Sequence, residues 1–171
     1  MISDKMIKEL NEQINKELYS AYLYMGMSSY SASEDLDGFA GWFALQAGEE
    51  VAHARKIYDY VNSQGGRVML SAIEEPGQDF NGPQDLFEKT LEHEKKVTAM
   101  INSLVKTARG EDDYATEVFL QWFVSEQVEE EETAQGILAR IKLVGEKGNG
   151  IFMLDRELGG RKAASSEASD E

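Results

Sequence analysis

Glu17 stands 33 positions before Glu50, and Glu94 stands 33 positions before Gln127. Each second member opens an i, i+3 pair: Glu50-x-x-His53 in one half of the chain, Gln127-x-x-Glu130 in the other. Residues three apart on a helix share a face, so each pair presents its two side chains in one direction. One carboxylate from each of two helices, joined to such a pair from each of two others, encloses room for two metal ions. Glu17, Glu50, Glu94 and Glu130 would balance the charge of two Fe(II) ions. Hard oxygen donors also stabilise the ferric state. A bridging carboxylate, with Glu50 best placed, would hold both ions near enough for dioxygen to meet them together. His53 would ligate one ion as neutral imidazole, and the other, without a nitrogen ligand, would be held more loosely.

A Glu-x-x-His pair by itself is weak evidence, since it more often marks a helical ion pair beside a core histidine. What changes the reading is duplication, together with the elements that must carry the ligands. Helical periodicity predicts four long helices, over about 4–34, 38–64, 83–109 and 113–144. Their apolar stripes are Leu10, Ile14, Leu18, Ala21 and Met25; then Phe39, Trp42, Phe43, Gln46, Ile57 and Tyr60. The third carries Phe87, Thr90, Val97, Ile101, Leu104 and Ala108, and the fourth Leu120, Phe123, Ala134, Ile137 and Ile141. Ser3 and Asp37 are placed to cap the first two helices, Gly65-Gly66 ends the second, and Pro83 opens the third. Every proposed ligand falls within its helix's apolar stripe. A carboxylate at a core position must be paired or bind a metal.

Within each hairpin the two ligand positions are about equidistant from the turn, so they lie at one height. The connection over 66–82 is 17 residues long with little periodicity. Extended, it reaches roughly 55 Å, more than the roughly 40 Å of such a helix. It can therefore cross the whole bundle and make the second and third helices parallel, which brings all four ligand sets into one layer. The expected architecture is all-α: an up-down-down-up four-helix bundle over about 4–144, with a short fifth helix over about 150–158. Ile151, Phe152, Leu154 and Leu158 of that fifth helix would need a surface outside the bundle, expected from a partner subunit. The small, polar, acidic stretch 159–171 is expected to be disordered.

Composition narrows the function classes. The chain has 171 residues, which fits one domain, and no cysteine, which excludes disulfides, iron–sulfur clusters and thiolate zinc sites. A net charge of −15 opposes nucleic-acid binding through phosphates. No apolar run approaches the length of a membrane span, and the start lacks the pattern of a secretion signal, so a soluble cytoplasmic protein is expected.

Residue by residue, Glu17, Glu50, His53, Glu94, Gln127 and Glu130 resemble the ferroxidase centre of prokaryotic non-haem ferritins, members of the ferritin-like di-iron carboxylate family. Tyr24 matches that family's tyrosine beside the centre, and Glu49, Glu126 and Glu129 resemble the third iron site of bacterial ferritins. The likeness covers about residues 3–158, including the crossover and the fifth helix, and makes 1–158 one ferritin-like domain. It implies an iron-storage protein with ferroxidase activity. Such a protein oxidises Fe(II) with dioxygen or hydrogen peroxide and keeps ferric oxyhydroxide inside a closed homo-oligomeric shell of 24 subunits.

Neighbouring families fit less well. Bacterioferritins and many di-iron oxygenases and rubrerythrins carry Glu-x-x-His in the second pair as well. The haem-binding methionine of bacterioferritins is replaced here by Val51-Ala52, so no haem is expected. Rubrerythrins usually add a cysteine-ligated iron domain, and DNA-binding mini-ferritins lack the fifth helix. An acidic helical scaffold with solvated carboxylates would leave the level ligands in apolar stripes unexplained. His93, pointing roughly 100° away from Glu94, reads as a surface histidine. Met6, Met25, Met27 and Met100 read as packing residues, and Trp42 and Trp122 as core or near-core anchors.

Overall fold

Five helices begin and end close to their sequence signals. In this computed structural model, which describes residues 2–163, α1 spans Asp4–Ser33, α2 Asp37–Ser63, α3 Gly82–Gly110, α4 Tyr114–Val144 and α5 Asn149–Leu158. Among the described residues there is no strand. Nor is any helix there long and apolar enough to cross a membrane. Ser3 caps α1, its hydroxyl accepting from the Met6 N–H at 3.0 Å, and Asp113 caps α4 through the Thr116 N–H at 3.1 Å. Pro83 sits in the first turn of α3, where its missing N–H costs nothing.

The start of α2 departs from expectation. Asp37 lies inside the helix, and Leu36, at the cap position, offers no side-chain acceptor. Asp155 of α5 serves instead: its Oδ1 accepts the Phe39 N–H at 3.0 Å. The cap thus comes from the far end of the chain, which no local signal could reveal.

The two tight turns are built alike. Asp35 and Asp112 both adopt the left-handed conformation, with φ of 59° and 55°. The following N–H groups close back on the helix ends, Leu36 to the Ser31 carbonyl at 3.0 Å and Asp113 to the Ala108 carbonyl at 2.9 Å. Short polar side chains tolerate this region better than other non-glycine residues do.

Two apolar clusters reveal the topology. One gathers the start of α1 (Met6, Leu10, Ile14), the end of α2 (Ile57, Val61), the end of α3 (Ile101, Leu104) and the start of α4 (Leu120, Phe123). The other gathers the end of α1 (Tyr24, Met27), the starts of α2 and α3 (Phe39, Phe43, Phe87), the end of α4 (Ile137, Ile141) and α5. Helices α1 and α4 therefore run one way and α2 and α3 the other. The crossover follows α1: Asn11 and Asn15 donate to the Arg67 and Ala72 carbonyls, and Tyr30, near the far end, accepts from Gly82.

Two expectations about packing need correction. In α1 the inward stripe runs through Tyr24 and Met27, while Met25 is exposed. Met25 sits beside Tyr24 in sequence, so the helical turn carries it off the buried face. In α5, Ile151, Leu154 and Leu158 are buried on this chain's own α2 and α4. Only Phe152 of the expected four remains exposed, with Met153 beside it. The bundle end is open enough to seat α5 itself. The acidic stretch 164–171 lies outside the described residues, whereas Arg161 folds back onto α2.

Gly38 is where α5 meets α2. A methyl group there would overlap the Asp155 backbone carbonyl, and backbone cannot swing aside as a side chain can. We expect Gly38→Ala to displace α5, with a stability loss of about 2 kcal/mol or more. Thermal unfolding, with limited proteolysis across 145–148, checks this; an unchanged melting temperature with no new cleavage would show that α5 docks otherwise.

Candidate metal centre

Between the two apolar clusters lies a polar layer, and all four helices contribute to it. Glu17, Glu50, His53, Glu94 and Gln127 are buried there, and Glu130 is half-buried. The structure thus brings together the six residues that the sequence nominated. Each sits on the inner face of a long helix whose flanking turns are packed into one or the other cluster. The helices cannot rotate the ligands outward without exposing those clusters.

The donor geometry falls into overlapping groups. Glu17, Glu50 and His53 place one donor atom each within 4.8 Å of one another, and so do His53, Glu126 and Glu130. His53 Nδ1 stands 3.4 Å from Glu50 Oε2 and 4.0 Å from Glu17 Oε2. Glu94 is held apart from these groups: Tyr24 donates its hydroxyl proton to Glu94 Oε1, and Gln127 Nε2 donates to Oε2 at 3.1 Å. Gln127 also reaches the Glu94 carbonyl at 3.2 Å. Its amide nitrogen therefore faces Glu94, and only its oxygen is left to face a cation.

A supporting shell went unassigned in the sequence. Gln13 Nε2 donates to Glu17 Oε1 at 2.8 Å, and Gln46 Nε2 donates to Glu130 Oε2 at 2.8 Å. Gln13 is one helical turn before Glu17, and its polarity inside an apolar stripe was a usable signal. Gln46 stood in the α2 stripe without a role, for the same reason a findable one. His93 differs from its expected place at the surface. It is half-buried, 2.7 Å from Ser20 Oγ and edge-on to Tyr24. Its offset from Glu94 turns it toward α1 rather than water, and burial followed by the charge of Lys96 lowers its pKa to about 4.

A cleft of about 380 Å³ opens beside the centre, lined by His53, Glu130, Glu49, Glu126, Glu129 and Arg161 among others. Glu49 and Glu126 are half-buried and Glu129 is exposed, so the three carboxylates of the expected third site share this cleft. Trp122 stands at the rim, edge-on to His53, with Lys56 Nζ 4.3 Å above its ring.

Electrostatics identify what the layer lacks. Among the described residues no Lys or Arg pairs with Glu17, Glu50, Glu94 or Glu130; His53 is the cation-capable group beside Glu17 and Glu50. Burial, reinforced by Glu50, raises the pKa of Glu17 well above the usual carboxylate range. Burial and then Glu94 do the same for Glu50. Glu94 is raised mainly by burial, and Glu130, by burial and then Glu94, to about 7. Shifts in this direction favour the protonated carboxyls, and metal ions would exchange for those protons. The fit of these carboxylate and imidazole donors to a metal cation is therefore chemical as well as geometric.

Raised folded-state pKa values mean that the folded chain binds more protons than the unfolded one, so metal-free stability falls as pH rises. For Glu130 the window opens at the unfolded value of 4.5 and closes near 7. We expect the melting temperature of the metal-free protein to drop between pH 5 and 8 and Zn(II) to restore it more at pH 8 than at pH 5. Glu130→Gln should flatten the metal-free drop, and a slope equal to that of the unsubstituted protein would refute this charge balance.

Comparison with known proteins adds independent findings. Residues 7–144 match the Ferritin family, described as a ferritin-like domain. The bacterial non-heme ferritin of Campylobacter jejuni is 46% identical over 156 residues, covering 91% of this chain and 93% of that protein. That of Escherichia coli O157:H7 is 37% identical, covering 92% and 96%. Among solved structures, the open pore ferritin of Archaeoglobus fulgidus is 48% identical with a TM-score of 0.93, covering 95% of this chain and all of that one. A closed form of the same ferritin, engineered by mutagenesis, gives 0.94 at 48% identity, covering 96% and 100%.

Proposed function

The chain belongs to the ferritin family, as an iron-storage protein, and from that premise we propose how its own residues do the work. Fe(II) enters the buried layer as substrate, is oxidised there, and is stored as ferric oxyhydroxide in a hollow shell built from copies of this chain. The ligands in this reading are Glu17, Glu50, His53, Glu94, Gln127 and Glu130. One observation carries it: three buried carboxylates and a half-buried fourth lie between two apolar clusters, with no Lys or Arg among the described residues paired to them.

Glu50 Oε2 stands 3.4 Å from His53 Nδ1, and Glu50 would be the carboxylate shared by the two ions. Each Fe(II) gives one electron to the oxidant, dioxygen or hydrogen peroxide. Glu130 and Gln127, lacking a histidine, hold the second ion less tightly, which favours its departure. Glu49, Glu126 and Glu129 receive ions in the cleft beside the centre, as a staging site toward the cavity. Tyr24, hydrogen-bonded to Glu94, fixes that carboxylate beside the centre. Assembly into 24 subunits and a cytoplasmic location complete the proposal; neither haem nor nucleic acid has a part in it.

The test is stopped-flow absorbance after Fe(II) addition to the assembled protein. Glu50→Ala and His53→Ala should each slow rapid oxidation about 100-fold, with helical content retained. Oxidation at the unsubstituted rate in either variant would remove the ligand assignment. Glu129→Ala should keep fast oxidation but change the number of irons oxidised per dioxygen, and an unchanged ratio would remove the staging role.

A further inference from the structure

Arg161 lies beyond the last helix, yet its guanidinium returns to the cleft beside the metal centre. Nη1 donates to Gln46 Oε1 at 2.9 Å and approaches the Trp42 carbonyl at 3.5 Å. Nη2 pairs with Glu49 Oε2. The indole of Trp42 lies beneath, 4.7 Å from the guanidinium carbon. We propose that Arg161 is a resident cation that latches Glu49 and Gln46 and holds the staging position until a metal ion displaces it.

The identity of the contacts gives the latch two effects. First, Glu49 shares its cleft with Glu126 and Glu129, and a carboxylate oxygen engaged by a guanidinium is withdrawn from a metal ion. Arginine and a divalent cation compete for the same charge. Second, a guanidinium only donates hydrogen bonds, so the Gln46 amide must turn its oxygen toward Arg161. The amide nitrogen then faces Glu130 Oε2, at 2.8 Å. Arg161 thereby orients a ligand of the buried centre through Gln46, as a positioning residue. Its departure frees Glu49 directly and lets Gln46 turn, which releases Glu130.

The contact is of a strength that exchange requires. The Arg161 and Glu49 side chains retain 25% and 23% of their exposure, so water screens the pair and the pair is weak. A permanent structural bridge would be enclosed; this one opens onto a cleft.

The proposal rests on the staging role of Glu49, Glu126 and Glu129, and the experiment separates the two. Calorimetric titration of the metal-free assembled protein with Zn(II) counts the ions and their affinities per subunit. Two tight ions and one weaker ion are expected, the weaker lost in Glu49→Ala. In Arg161→Ala the weaker ion should bind about three- to tenfold more tightly. Lys162→Ala, which removes the same charge from an exposed neighbour, should leave it unchanged. Equal affinity in Arg161→Ala and the unsubstituted protein, or equal tightening in Lys162→Ala, overturns the latch. A third ion missing from both the unsubstituted protein and Arg161→Ala overturns the staging site itself.

Discussion

Three buried carboxylates and a half-buried fourth share one layer, and among the described residues no Lys or Arg pairs with them. Ionised and unpaired, such groups cost several kcal/mol each, so the layer must carry either protons or imported cations. Much else follows from that constraint. Gln13, Gln46, Gln127 and Tyr24 each spend a hydrogen bond on a ligand oxygen, fixing its orientation before a metal arrives. The apolar clusters on either side carry the folding energy that the layer itself cannot supply. In the proposed reading such a centre is preorganised, and its affinity for cations would grow as rising pH strips the protons.

The chain is a near-repeat, and its departures from symmetry fall at the candidate ligand positions. The hairpins share their turn geometry at Asp35 and Asp112 and their ligand register. They differ where the chemistry does: His53 in the first half is answered by Glu130 in the second, and Glu50 by Gln127. In the proposed reading, one half is the firmer ligand set and the other the looser one. A protein that must pass its substrate onward is served by that inequality.

The end of the chain is tied into the whole. Asp155 caps α2 at the Phe39 N–H, and Arg161, six residues later, reaches Gln46 and Glu49 two to three turns further along the same helix. Helix α2 carries Glu50 and His53 as well. Events at the metal centre and the seating of the C-terminal segment therefore act on a single rigid element.

The sequence by itself determined the helices, most of their inward faces, the long crossover and the convergence of the six candidate ligand positions, because each depends on a period of 3.6 or on a fixed spacing. It also determined that opposing ligands stand level, since equal distance from a turn is a property of the chain. Tertiary structure alone decided what closes the start of α2, where α5 rests and which way His93 turns. Those outcomes rest on contacts between segments distant in sequence, such as Phe39 with Asp155, Tyr24 with His93, and Gln46 with Arg161. No local pattern encodes such pairings, because their energy exists only once the bundle has brought the partners together.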